Sequence, residues 1–238
     1  QHEILTEDYK ETLHDSVYFK LSVVGKEDEY LLVWTTTPWT LPANIAVAVD
    51  ENLEYVLVKG DTKDTFWVAK DLAAKVFKKD CKIIQTVKGK KLVGLKYTFA
   101  FDHLPKVREV ADKNSNTFHT VIATDDRIMP INIEDGTGLV HTAVSAGQED
   151  FQLGKKLSLP LIEVINEEAN YLEGLGEFSG KNAKKDPKII LDFLINEDKK
   201  GTNWIFEIFS YKHRYPTCWR CKTELVWRVV DEWYISMQ

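Results

Sequence analysis

Residues 12–24 read Thr-Leu-His-Asp-Ser-Val-Tyr-Phe-Lys-Leu-Ser-Val-Val. Val17, Phe19, Leu21 and Val23 alternate with Ser16, Tyr18, Lys20 and Ser22, and this period of two predicts a half-buried strand. Working outward, further short apolar runs occur at residues 30–35, 45–49, 55–58, 66–69, 121–123 and 139–143. Turn residues separate them: Gly25, Asp50-Glu51-Asn52, Gly60-Asp61 and Asp135-Gly136. Helical patterns interrupt at residues 71–79, where Leu72, Val76 and Phe77 share a face, and at 148–157. A third helix is predicted over 186–195, with Asp186 as N-cap, Pro187 at the first helical position and Gly201 past the end. Many short strands with inserted helices predict an α+β fold, a closed or nearly closed β-barrel-like sheet with peripheral helices.

The chain has 238 residues, of which 44% are hydrophobic and 29% charged, with 12 Gly and 7 Pro. That composition excludes collagen-like, low-complexity and disordered chains. Charged residues break every run short of the ~20 apolar residues that a membrane helix needs. The opening Gln1-His2-Glu3-Ile4-Leu5 lacks the basic-then-apolar pattern of a secretory leader. Thirty-one Lys plus Arg against 37 Asp plus Glu give a net charge of −6, which disfavours wrapping a nucleic-acid duplex. A single-stranded end needs only a few lysines and aromatic rings and stays within reach. Seven Trp read as core packing and surface anchoring ahead of ligand stacking. Three Cys, two of them in Cys218-Trp219-Arg220-Cys221, make no disulfide framework and suit a reducing cytoplasm. Both chain ends read as module boundaries, the second at the apolar stretch Trp233-Tyr234-Ile235-Ser236-Met237-Gln238.

Three segments could carry chemistry. In Trp34-Thr35-Thr36-Thr37-Pro38-Trp39-Thr40-Leu41-Pro42-Ala43-Asn44, the threonines favour a strand and the two prolines forbid its regular continuation. The result is a stiff loop presenting hydroxyls and an amide without charge, suited to a ribose or an ester carbonyl. Alternatively, the threonines only pair across a sheet. In Asp135-Gly136-Thr137-Gly138-Leu139-Val140-His141-Thr142-Ala143, the glycines allow a tight turn into a strand ending near His141, and Asp150 follows in the first turn of a helix. Asp150 could bind an ammonium group, and His141 could orient water or shape a pocket. The plainer alternatives are a carboxylate serving its own helix terminus and a satisfied core histidine. A dinucleotide-binding loop is excluded, because no third glycine and no following βαβ unit appear.

The third segment, His213-Arg214-Tyr215-Pro216-Thr217-Cys218-Trp219-Arg220-Cys221-Lys222, holds a Cys-x-x-Cys knuckle, half of a tetrahedral zinc site. Only Cys81 could add a third thiolate, and His213 is awkwardly placed, so no metal is expected in this chain.

Together these segments resemble isoleucyl-tRNA synthetase, in its inserted editing domain (connective peptide 1), over nearly the whole chain. Valyl- and leucyl-tRNA synthetases carry related domains, but His141 followed by Asp150, and the Tyr215-Pro216-Thr217-Cys218-Trp219-Arg220-Cys221 run, favour the isoleucyl enzyme. The resemblance implies an editing domain over residues 1–210 and a return segment toward the catalytic core over 211–238. It implies hydrolysis of misacylated Val-tRNA(Ile), since a binding pocket discriminates one methylene by only about 1–3 kcal/mol and needs a second, hydrolytic sieve. By motif, Asp150 anchors the α-ammonium. Thr35, Thr36, Thr37 and Asn44 line the pocket for the amino acid and terminal adenosine. His141 limits side-chain size and helps place the water. Expected partners are the acceptor end of tRNA(Ile) carrying valine and the rest of the synthetase, with no membrane and a monomeric fragment. No cofactor is expected here; ATP and zinc belong to the parent enzyme, whose partner cysteines lie upstream of this segment. The family usually has a proline after His-x-Ala, where this chain has Val144, yet Asp150 keeps its spacing from His141. Two rival readings are a valyl-type domain clearing Thr-tRNA(Val) and an acceptor-end binding module without chemistry.

Overall fold

The strand read from residues 12–24 is the longest in the molecule, β1 (Tyr9–Val23), and it organises the sheet. The computed structural model describes residues 9–78, 81–231, 233 and 235. The opening pentapeptide, Lys79 and most of the closing apolar stretch lie outside them. The chain continues through β2 (Glu29–Thr35), a 3-10 turn (Pro38–Ala43), β3 (Ala46–Val49), β4 (Glu54–Lys59), β5 (Thr65–Ala69), α1 (Lys70–Phe77), β6 (Lys82–Lys88) and β7 (Tyr97–Thr98). After these come α2 (Pro105–Lys113), β8 (Thr120–Ala123), β9 (Val140–Thr142), α3 (Gln148–Leu157), α4 (Ile189–Lys199) and β10 (Ile205–Pro216).

Among the described residues all ten strands join one mixed sheet that curls on itself. β1 pairs antiparallel with β2 and β7, β2 runs parallel to β9, β9 is antiparallel to β3, and β3 is parallel to β8. The bridge from Lys96 to Thr120 then joins the start of β7 to β8 and closes the ring. The nearly closed sheet expected from the sequence is therefore the fold found. The free edge of β2 divides: residues 29–31 take β5, and Trp34 takes Val140 of β9. The loop 136–138 fills the gap between them, and here glycine is obligatory. A Cβ on Gly138 would stand 2.3 Å from the Cβ of Ala69, and one on Gly136 would stand 2.9 Å from the Trp34 ring; both residues have positive φ.

The strand bounds agree with the sequence reading to within a few residues, with three corrections. β1 is not half-buried between Ser16 and Leu21, because both faces are covered: Ser16 is 0% and Lys20 3% exposed. Lys20 lies 3.8 Å from Asp64, its amide donates to the Trp204 carbonyl, and burial pulls its ammonium below the usual lysine range against the pull of Asp64. The helix expected from Asp186 begins only at Ile189, and Lys188 takes the N-cap place without a side-chain cap. It ends as expected, with Gly201 at φ +101°. The partners the sequence reading did not supply are α2, β6 and above all β10, whose residues 205–216 pair with β1. Residues 210 and 211 both lie in β10. Beyond the barrel, residues 9–15 of β1 pair only with β10 and form a two-stranded ribbon. α4 packs Phe193 against Phe101 and Phe178, with ring centroids 5.4 and 5.2 Å apart, an aromatic cluster holding the peripheral helix to the barrel. Among the described residues no helix is long and apolar enough to cross a membrane.

Candidate functional site

The threonine segment and the Gly-x-Gly segment meet because β2 and β9 are parallel neighbours at Trp34 and Val140. Beyond β2 the chain turns at once. The Thr37 amide donates to Thr35 Oγ1 at 3.1 Å, and Pro38 starts the 3-10 turn that Pro42 helps to finish. A cavity of about 290 Å³ opens there, and Thr35, Thr36, Thr37, His141 and Asp150 all border it. Thr40, Gly136 and Gly138 share its wall, with Trp34 and Asp135 at its margin. Four of the six proposed residue positions arise from the two strand ends, and the fold supplies Asp150 from α3. Among the described residues the Thr36 hydroxyl has no protein partner, whereas Thr35 and Thr37 bond each other at 3.3 Å.

Asn44 was expected on the wall and stands behind it. It is 2% exposed and donates from Nδ2 to His141 Nδ1 at 2.7 Å. The protonation of His141 follows by counting protons. Thr40 spends its single hydroxyl proton on the Thr37 carbonyl at 2.9 Å, so in its 3.0 Å contact with His141 Nε2 it must accept. Nε2 therefore carries the hydrogen and Nδ1 receives one from Asn44. Burial pushes the imidazole down to about 4, so it is neutral at physiological pH. With both nitrogens engaged, His141 has no lone pair left to hold a water. Thr40 and Tyr97, whose hydroxyl donates to Asn44 Oδ1 at 2.5 Å, complete the network. Thr40 stood in the quoted motif without a role, and nothing local in the sequence marked Tyr97.

Asp150 faces the cavity from the first turn of α3, and its carboxylate also takes up its own backbone amide at that helix terminus. Its Oδ1 accepts from the Ala143 amide across the loop at 2.8 Å. Burial pushes the carboxyl up to about 6, opposed by that hydrogen bond. Oδ2 lies over Gly147, where an added Cβ would stand only 2.1 Å away. The Gly147 backbone, at φ −155°, suits any residue, so Gly147→Ala is expected to fold normally and swing the carboxylate aside. Loss of activity of several-fold without loss of thermal stability is the expected outcome, read by melting and turnover on the same preparation.

The knuckle is a tight hairpin at the ribbon's end. Cys218 N donates to the Thr223 carbonyl and Lys222 N to the Cys218 carbonyl, both at 2.8 Å. Hydrogen bonding to Thr223, chiefly by its side chain, holds the Cys221 thiol down to about 7. Cys81 instead packs its sulfur 3.4 Å from the Ala73 carbonyl of α1, and His213 Nε2 bonds His14 Nδ1 at 3.0 Å. Among the described residues no three or more His, Cys, Asp or Glu are grouped to hold a metal.

No family profile matches the chain. Among solved structures, the cytosolic leucyl-tRNA synthetase editing domain of P. falciparum superposes with a TM-score of 0.56 at 11% identity, covering 82% of this chain and 100% of that one. That of P. knowlesi gives 0.56 at 12% identity, over 85% and 97%. The fold is that of a tRNA-synthetase editing domain. In sequence, the isoleucine–tRNA ligase of Pyrococcus furiosus is 39% identical over 245 residues, all of this chain and 22% of that protein. Those of Methanocaldococcus jannaschii and Clostridium novyi are 39% and 37% identical, over 100% and 99% of this chain. The chain matches isoleucine–tRNA ligases along its whole length and spans about a fifth of the length of those relatives.

Proposed function

We propose that this chain hydrolyses the ester of misacylated tRNA, with Val-tRNA(Ile) as substrate. The observation that carries the reading is the polarity of the cavity: Asp135 is matched by Lys75, Asp150 has no cationic partner among the described residues, and hydroxyls and a neutral imidazole lie beside them. An aminoacyl ester has that pattern, with one ammonium beside a neutral ester and ribose. Asp150 takes the ammonium, and Thr35, Thr36 and Thr37 border the ribose and ester, with the Thr36 hydroxyl available to bond them. His141 closes the side-chain end. Among the described residues no Ser or Cys borders the cavity, and both nitrogens of the imidazole there are hydrogen-bonded, so it is not free to activate a threonine hydroxyl as nucleophile. Water attacks the carbonyl carbon, the ribose oxygen leaves and takes a proton, and valine departs as the carboxylic acid; the vicinal ribose hydroxyl is the proton partner nearest the reacting atoms.

The partners in this reading are the tRNA(Ile) acceptor end and the remainder of a cytoplasmic synthetase, which supplies ATP chemistry elsewhere, with this chain monomeric. Deacylation of Val-tRNA(Ile) beside Ile-tRNA(Ile) and Thr-tRNA(Val) tests it. Faster loss of valine supports it, faster loss of threonine selects the valyl-type reading, and binding without turnover selects the docking module. A related expectation is that no zinc stays bound. Cys218 and Cys221 supply two of the four ligands of a structural site, so one zinc per chain surviving dialysis would refute it.

A further inference from the structure

We propose that Tyr97 is a positioning residue for this cavity, its hydroxyl proton setting which nitrogen of His141 carries hydrogen two residues away. The proposal rests on the reading of the cavity as an aminoacyl-ester site. Tyr97 lies on β7, on the opposite side of Asn44 from the cavity, and is 2% exposed. Its ring is clamped by stacking on His119, with centroids 4.6 Å apart. Among the described residues the phenol hydroxyl makes one hydrogen bond, to Asn44 Oδ1 at 2.5 Å. That contact directs the amide: with Oδ1 facing Tyr97, Nδ2 must face His141 Nδ1 at 2.7 Å, its other hydrogen going to the Ala46 carbonyl at 3.3 Å.

From there each group has one choice. Nδ1 accepts, so Nε2 bears the hydrogen and donates to Thr40, which passes its own proton to the Thr37 carbonyl. Four donors thus run in one direction, from Tyr97 through Asn44, His141 and Thr40 to the backbone of the threonine loop. Reversing the Asn44 amide would reverse the chain: Oδ1 would face Nδ1, the hydrogen would move to Nδ1, and the Thr40 hydroxyl would donate to Nε2, leaving the Thr37 carbonyl with the Thr40 amide alone. Once the phenol is removed, the long bond to Ala46 and the Thr40 bond to the Thr37 carbonyl are what oppose this. The cavity rim and the ring that limits side-chain size are thereby tied to a hydroxyl that never meets the substrate.

The test is Tyr97→Phe in this chain, which keeps the stacked ring and deletes one oxygen. Nitrogen NMR of His141 should show a single Nε2–H form in the parent and a second, Nδ1–H form in the variant. Asn44→Asp, whose carboxylate can only accept, serves as the reference for that second form. The ratio of Val-tRNA(Ile) to Ile-tRNA(Ile) deacylation should fall about tenfold, the scale of one buried hydrogen bond, with KM for the tRNA unchanged. An unchanged ring form and ratio, with only a lower melting temperature, would overturn the proposal and leave Tyr97 a packing residue. If the parent hydrolyses neither ester, the functional reading fails separately, while the NMR comparison still decides the positioning claim.

Discussion

Asp150→Asn is expected to lower Val-tRNA(Ile) hydrolysis by about tenfold to a hundredfold while making the chain more resistant to heat at neutral pH. The two effects have one origin. The carboxylate is held in the cavity wall at a cost, since burial raises its pKa to about 6. A carboxyl whose folded pKa lies above its unfolded value binds its proton more tightly in the native state. Its destabilising effect is absent below about pH 4, develops as pH rises toward 6, and is complete above that. Asparagine removes the charge and keeps an oxygen for the Ala143 amide, so the gain in melting temperature should grow over the same window. The lost charge is what the substrate ammonium needs, and a charge-assisted contact of this kind is worth about 1.5–3 kcal/mol. In the parent, kcat/KM should fall as pH drops through about 6. Parent-level turnover by the asparagine variant would remove the anchoring role. A variant both inactive and less stable would instead make Asp150 a structural tie between the end of β9 and α3.

The reach of sequence reasoning follows from where each interaction is encoded. Residues 16–23 announce a strand through their own alternation, and Pro38 and Pro42 announce the irregular turn after β2, because both are local backbone effects. The cavity residues Thr35, Thr36, Thr37 and His141 are legible for a similar reason, since they sit on short segments whose strand ends converge, and Asp150 follows them in the first turn of α3. Burial of Lys20 was not legible. It depends on Trp204 and Asp64, brought over β1 by pairing with distant segments, and alternation alone assigns that face to water. Asn44 was placed on the correct loop and the wrong side of it. A 3-10 turn brings each following residue around by about a third of a turn, and only the position of His141 decides which face becomes the interior. Tyr97 was invisible, since its meaning lies in one hydrogen bond between residues far apart in the chain.

His141→Ala is expected to turn the chain against the correctly charged substrate. Valine and isoleucine differ by one methylene and offer no polar handle, so attraction alone discriminates them by no more than about 1–3 kcal/mol. Rejection of the larger side chain has to come from a wall that does not yield. In the proposed reading His141 is that wall: it is held at both nitrogens, at 2.7 and 3.0 Å, and Phe19 lies edge-on to it with ring centroids 6.1 Å apart. A ring fixed by two hydrogen bonds cannot rotate away without leaving Asn44 and Thr40 unpaired in a buried site, which is how steric exclusion exceeds the transfer energy of a methylene. Truncation to alanine opens the end of the cavity, and hydrolysis of Ile-tRNA(Ile) should rise at least tenfold relative to Val-tRNA(Ile). The ratio is the quantity to measure, because a partly unfolded variant lowers both rates equally and leaves it unmoved. Equal loss on both esters would assign His141 to the general structure of the site. A preserved ratio at preserved rates would place the size limit on the threonine loop instead, and Thr36, which faces the same cavity with an unpartnered hydroxyl, would be the next residue to replace.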